Sequence, residues 1–202
     1  RPRALYFVFW CAHVGLGARS YFWAGENSAD VGWRLGMYMS GFFPCMMFGI
    51  AGAALAMIKT AKNKKAAIGL VLSAAICAFV CGVTEPFEFG FMFLCFPLYV
   101  VYSALYGIFT IITYYSGFRA GFCFSAGATD LVFSASLPAA AKTWMIIPLG
   151  IAAFVVFYAV FYFAITKFDL KTPGREDEDA EAAEANITLA NNDFTAIASG
   201  VL

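Results

Sequence analysis

Two carboxylates three positions apart, with a proline between them, interrupt a long apolar stretch at Gly82-Val83-Thr84-Glu85-Pro86-Phe87-Glu88-Phe89. Ala66 to Cys81 before them and Gly90 to Val101 after them are almost wholly apolar. At the centre of a bilayer an ionisable side chain costs about 2.5–3.5 kcal/mol on insertion scales, so a carboxylate held there marks a pathway or a ligand site. Proline is favoured at the first position of a helix. Glu85 is then the expected N-cap and Glu88 the third helical residue, the two ends of a capping-box-like arrangement. A helix that begins at membrane depth directs free N–H groups and a positive dipole end into a cavity. The dipole stabilises a carboxylate by only about 0.3–1 kcal/mol, so water, a cationic partner or a polar ligand must offset the rest. The stretch reads as a solute site.

The elements that must position this break are apolar helices. A first span is expected at about Met37 to Ile58, rich in Gly and Ala that allow close helix approach in lipid, with Pro44 as a kink or a join. Lys59, Lys62, Lys64 and Lys65 follow, and four lysines in a short loop place it on the cytoplasmic side. A second span covers about Ala66 to Cys81, a further one Leu98 to Tyr115, and the last Trp144 to Thr166. Residues 117–142 mix Arg119, Asp130, Lys142, glycines and Pro138 with apolar residues. Gly117 and Gly121 have the small-xxx-small spacing, but Arg119 between them argues for a loop. Three crossings from the lysine loop would leave Lys167, Lys171 and Arg175 outside, against their charge. One more segment between 84 and 142 must therefore cross, while another dips in and returns. Such broken or re-entrant segments are tolerated only where protein or a cavity surrounds them.

Composition agrees: 62% of residues are hydrophobic and 13% charged, with a mean hydropathy of +0.76. Soluble domains carry nearer a quarter charged residues. The net charge is zero, which leaves no footprint for nucleic acid, and no Walker or dinucleotide motif is present. The six cysteines (Cys11, Cys45, Cys77, Cys81, Cys95 and Cys123) sit in apolar segments. Cys77 and Cys81 lie one helical turn apart but have no histidine near them, so they read as buried thiols and no metal or other cofactor is expected. The only histidine, His13, lies in an apolar, aromatic stretch at residues 4–23 with Arg19, and reads as an interfacial side chain. Gly25 to Arg34 is a polar loop. From Phe168 the chain is polar, and Glu176, Asp177, Glu178, Asp179, Glu181 and Glu184 form an acidic linker. Asn186-Ile187-Thr188 matches a glycosylation sequon, without weight on a cytoplasmic tail. Arg1 opens the chain with no signal peptide, as expected of part of a longer protein.

The central stretch resembles the Gly-Ile-Thr-Glu-Pro-x-Glu-Phe signature of the membrane (IIC) component of sugar phosphotransferase systems, glucose superfamily. Four further stretches are similar, in the family's order: Met39-Ser40-Gly41-Phe42-Phe43-Pro44, Met46-Met47-Phe48-Gly49, Phe124-Ser125-Ala126-Gly127-Ala128-Thr129-Asp130, and Leu170-Lys171-Thr172-Pro173-Gly174-Arg175-Glu176-Asp177. Together they cover about residues 37–177. The family's Pro-Phe-Gly-Leu-His-His run, preceded by an arginine, is absent; only Ser20-Tyr21-Phe22-Trp23 looks familiar there, and His13 does not align with it. The resemblance implies an all-α, polytopic membrane protein with transmembrane helices and re-entrant hairpins. It divides the chain into a poorly matched segment at 1–36, a transmembrane and sugar-binding region at 37–167, an acidic cytoplasmic linker at 168–195, and the start of an EIIB-like domain at 196–202.

The resemblance also implies a homodimer in the bacterial plasma (inner) membrane, in contact with lipid, that carries sugar across in an elevator-like motion. The sugar would be phosphorylated by an EIIB phosphocysteine served by EIIA and HPr phosphocarriers. The whole would be a phosphohistidine–sugar phosphotransferase, a transferase whose phosphoryl-carrying cysteine lies beyond this chain. Sugar hydroxyls both donate and accept, and a carboxylate accepts two of them strongly. Glu85 is the expected direct contact. Thr84 adds a hydroxyl, and free N–H groups near residues 87 and 88 add donors. Glu88 is expected to hold the loop by reaching back to the backbone. Phe87, Phe89 and Phe91 read as packing. Arg119 and Asp130 are expected to pair with each other or with a Glu. Ser125, at the tip of a second hairpin beside the Glu-Pro motif, and Asp130 are further candidates for the sugar site. Ser125-Ala126-Gly127, where the glucose type tends to show Ser-His-Gly, and Leu137-Pro138-Ala139-Ala140 lean toward N-acetylglucosamine over glucose. A proton-coupled secondary transporter, a non-catalytic accessory subunit and an inactive fragment stay open as alternatives.

Overall fold

The computed structural model describes residues 22–25 and 36–175. The readings placed on His13, Arg19, the remainder of the 25–34 loop, the acidic linker, Asn186 and residues 196–202 lie outside the described residues. Those described are helical, with no strand among them. Helix α1 is Pro44–Thr60, with wide π-type turns over Pro44–Gly49. Phe42 and Phe43 already have helical geometry, so Pro44 sits in the first turn and opens the helix instead of kinking a longer span. Helix α2 (64–81) also carries a π-type stretch, at Ile68–Leu72. Helix α3 is Glu85–Met92, α4 Phe96–Ser116, α5 Ala128–Ser134, and α6 Thr143–Phe168, whose first turn is a tighter 3-10 turn.

Helices α4 and α6, of 21 and 26 residues, are long and apolar enough to cross a membrane. At ~1.5 Å rise per residue they match a hydrocarbon core of about 30 Å. Their outer faces are apolar too: Ile111, Ile151 and Phe163 are each more than half exposed. An exterior of this kind suits lipid, where apolar surface needs no cover.

The core is the seam between α1 and α6. A Cβ added at Gly52 would stand 2.3 Å from the Phe154 carbonyl oxygen, and one at Gly150 would stand 2.4 Å from the Phe48 ring. Phe157 lies over Gly49. Each helix thus takes an aromatic ring of the other over a glycine, the close approach that the Gly/Ala stripe announces. Tyr102 of α4 and Phe91 of α3 pack edge-on against Phe161, and Tyr102 also against Phe157, extending the seam into an aromatic cluster.

Hydrogen bonds define two ends. The Gly174 carbonyl accepts from the N–H groups of Lys62 and Asn63, both at 2.9 Å, and Arg175 Nη1 donates to the Thr60 carbonyl at 2.8 Å. Arg175 also pairs with Asp169. The lysine loop and the exit from α6 therefore share one end, as their common charge demands. At the other end Lys142 Nζ donates to the Ser116 carbonyl, and Arg119 bridges Ala141 through the backbone. Residues 117–127 form no helix, in line with the reading of Arg119. Helix α2 runs away from the lysine end, the chain turns at 82–84, and α3 returns so that Gly90 approaches Pro173. Residues 119–141 make a second excursion from the opposite end. The tips of the two excursions meet.

Candidate functional site

The meeting point is built from the ends of α2 and α5. Gly82 terminates α2 in the left-handed region, φ 73°, where a residue without Cβ is favoured. It also leaves room for the second tip: a Cβ on Gly82 would lie 2.8 Å from the Ala126 and Gly127 nitrogens. Gly127 faces it, its own Cβ position 2.5 Å from the Gly82 nitrogen and the Val80 carbonyl oxygen. Two hydroxyls from the second tip then cap the broken helix. Ser125 Oγ donates to the Gly82 carbonyl at 2.7 Å, and Thr129 Oγ1 donates to the Val80 carbonyl at 3.1 Å. The last carbonyls of α2 lack intrahelical partners, so these bonds replace water at a helix end.

Asp130 holds the second tip in shape. Its Oδ2 accepts from the backbone N–H groups of Cys123, Phe124 and Ser125 at 2.9, 2.8 and 3.0 Å. A carboxylate satisfied by three amides in this way is a charge-assisted clamp. Ser125 is thereby aimed at Gly82, with Met46 Sδ as a second, longer neighbour at 3.8 Å. The expectations for Asp130 were pairing with Arg119 or with a Glu and a place in the sugar site. Its acceptor role toward its own loop is a finding of the structure.

The capping-box expectation is corrected. Thr84, not Glu85, is the N-cap of α3, and its side chain makes no capping bond. The buried Thr84 instead offers its carbonyl, which accepts from the Phe87 and Glu88 N–H groups at 3.0 and 2.9 Å. Those two amides, expected to be free donors, are therefore occupied. Glu88 falls one position later than the capping box requires. It holds α3 by another route: the Tyr102 hydroxyl donates to Glu88 Oε1 at 2.9 Å. A structural role for Glu88 thus rests on a partner across the break, not on a reach-back to the backbone. Tyr102 is buried among the rings of Tyr99, Tyr106, Phe91, Phe157 and Phe161. In sequence it is one aromatic residue among several in an apolar run, with no signal that sets it apart.

Phe87 and Phe91 are buried and pack on each other, tilted, at 5.3 Å, whereas Phe89 is exposed and meets Phe93. Glu85 lies at the first position of α3 and is exposed, and among the described residues no side chain or amide bonds its carboxylate. The structure thus brings Thr84, Glu85, Ser125 and the loop of Asp130 to one place, with Glu88 one turn along α3. Ser125 and Asp130 are engaged there in the bonds just described, whereas Glu85 is exposed. Among the described residues no group of three His, Cys, Asp or Glu side chains gathers to hold a metal ion.

Described residues with no strand among them, two membrane-length apolar helices, an apolar exterior and polar groups gathered at a helix break define a class of membrane component. The chain belongs to the phosphotransferase system EIIC family, whose model matches residues 3–107. It is 49% identical over 170 residues to the N-acetylglucosamine-specific EIICBA component of Klebsiella pneumoniae, covering 82% of this chain and 25% of that protein. It is 48% identical over 160 residues to the N-acetylglucosamine-specific EIIC component of Streptomyces coelicolor, covering 78% and 36%. The glucose-specific EIICBA component of Staphylococcus carnosus is 41% identical over 150 residues, covering 73% and 22%. The chain thus spans about a quarter to a third of the length of these relatives.

Proposed function

We propose that the chain is part of the sugar-translocating membrane component of a phosphotransferase system, binding and importing N-acetylglucosamine for phosphorylation by an EIIB phosphocysteine. The observation that carries the reading is Glu85: an exposed carboxylate at the start of a helix beginning at a chain break, with both flanking tips fixed by bonds that leave it unused. Glu85 accepts hydroxyl hydrogens of the sugar and holds its 6-OH toward EIIB. There the phosphorus–sulfur bond breaks as the phosphorus–oxygen bond to the sugar forms. Thr84, Glu88, Ser125 and Asp130 complete the site as its scaffold. N-acetylglucosamine is preferred over glucose because the relatives bearing that name are the more similar ones. Ala126, the small residue of Ser125-Ala126-Gly127, is wholly buried in a cluster with Phe43 and Phe118.

On this reading α2–α3 and residues 119–141 are both re-entrant hairpins in a polytopic dimer, within a transport region at 37–167, and they replace the second span and the extra crossing expected between 84 and 142. The lysine loop and the 168–195 tail are cytoplasmic, and 196–202 open an EIIB-like domain. Supporting it, Ser125 and Thr129 of the second excursion satisfy carbonyls at the end of the first, and a broken segment at membrane depth needs its backbone groups satisfied in this way. The test is Glu85→Gln in the intact protein, with uptake of labelled N-acetylglucosamine as the readout. A hydrogen bond to a charged group is worth about 1.5–3 kcal/mol, so uptake should fall about 10- to 150-fold with normal membrane insertion. Retained uptake removes Glu85 from the site. Uptake that collapses with the proton gradient and needs no phosphoryl donor replaces the phosphotransferase reading with a secondary transporter.

A further inference from the structure

A groove of about 330 Å³ runs between α1 and α2 and is floored by Phe154 of α6. Its walls are Ala51, Ala54, Leu55 and Ile58 on α1 and Leu72, Ala75, Ile76 and Phe79 on α2. No wall residue carries a polar side chain. The α1 wall residues fall at intervals of three and four, one helical stripe, and that stripe ends at Ile58 beside Lys59. On α2 the exposed residues continue from Leu72 through Ile68 to Lys65. One end of the groove therefore leads toward Lys59, Lys62, Lys64 and Lys65, all exposed. The loop that bears them is not free to wander: the N–H groups of Lys62 and Asn63 are held by the Gly174 carbonyl.

We propose that this groove with its lysine mouth is a binding site for an anionic phospholipid, one acyl chain lying between α1 and α2 and the phosphate on the lysine loop. The inference rests on the membrane orientation proposed above. An apolar trough alone would accept any chain, and a surface lysine cluster alone would accept any anion. Their junction selects a molecule that is apolar along its length and negative at one end, in the leaflet facing the loop. Lysines near a membrane surface attract anionic lipid by an amount equal to about a fivefold change in affinity each.

The test uses the full-length protein, delipidated and exposed to equal amounts of phosphatidylglycerol and phosphatidylcholine, with retained lipid counted by native mass spectrometry. One phosphatidylglycerol per chain is expected in excess over phosphatidylcholine. Replacing Lys62, Lys64 and Lys65 by Gln should abolish the preference, by more than the fivefold expected of one lysine. Ile76→Trp and, separately, Leu55→Phe should reduce retention of both lipids, because Ile76 and Leu55 stand at the exposed lip (55% and 38% exposed) and the added bulk enters the groove, not the core. Equal retention of the two lipids, or a preference untouched by the lysine changes, overturns the proposal. So does a filled groove that still retains phosphatidylglycerol, which would leave only surface attraction. A photo-crosslinker at Phe79 that captures protein instead of lipid overturns it as well, giving the groove to another part of the assembly. None of these readouts depends on Glu85, so the site stands or falls apart from the transport reading.

Discussion

The α1–α6 seam and the paired tips at 80–84 and 123–130 both depend on glycines in close approach, yet they use that closeness for opposite ends. At the seam Gly52 lets the Phe154 backbone come close, and the side chains brought together around it are apolar. At the tips Gly82 and Gly127 bring two backbones together so that hydroxyls and a carboxylate can satisfy carbonyls and amides. The first region stabilises by contact alone, the second by cancelling the penalty of polar groups placed in an apolar surround. A molecule whose whole interior resembled the seam would be stable but would offer no polar group to a ligand. The tips supply the polar floor on which one carboxylate, Glu85, remains without a protein partner among the described residues.

The contrast can be broken most severely at the seam. Gly52→Val would press a branched side chain against the Phe154 carbonyl, which as backbone has no rotamer to yield. A loss of about 3 kcal/mol or more, with collapse of the monodisperse fraction in detergent, is expected. A near-native unfolding temperature would mean that α1 and α6 separate readily.

Asp130→Ala attacks the tips. It leaves three amides without an acceptor, and destabilisation of about 2–3 kcal/mol should follow. Hydrogen exchange should quicken at 80–82 and 123–130 while the amides of α1 and α6 stay protected. Faster exchange along the seam would show that the two regions are one cooperative unit.

The smallest effect belongs to the strut between them. Tyr102→Phe should cost about 1 kcal/mol by removing the hydrogen bond, Glu88→Gln less because its amide oxygen still accepts from the Tyr102 hydroxyl, and the double variant little more than Tyr102→Phe alone. Additive losses in the unfolding free energy would show that the two side chains act separately. Loss of sugar binding in Glu88→Gln at normal thermal stability would move Glu88 from scaffold to sugar contact.

Much of this was legible from residue order. The spans expected at Leu98 to Tyr115 and Trp144 to Thr166 differ from α4 and α6 by one or two residues at each end, because long apolar runs leave a helix few alternatives. The Gly/Ala stripe, the irregular 117–127 stretch and the shared end of the two basic groups were equally readable. The details of the break were not. Proline marks a helix start only to within a residue, so the cap moved from Glu85 to Thr84 and carried Glu88 out of capping range. Pro44, expected as a kink or a join within a span from Met37, instead stands in the first turn of α1, since helical geometry begins at Phe42.

By itself the sequence determined the membrane-suited composition, the family, the main helices and the place where polar groups must gather, for these follow from hydropathy, glycine and proline, which act locally. Only the tertiary structure decided which polar group meets which. Ser125 finds the carbonyl of Gly82 across 43 residues, and Tyr102 finds Glu88 across 14. Such pairings are set by how helices pack and where two chain reversals arrive, and hydrogen bonds of a few ångströms form only after that packing has brought their partners into reach.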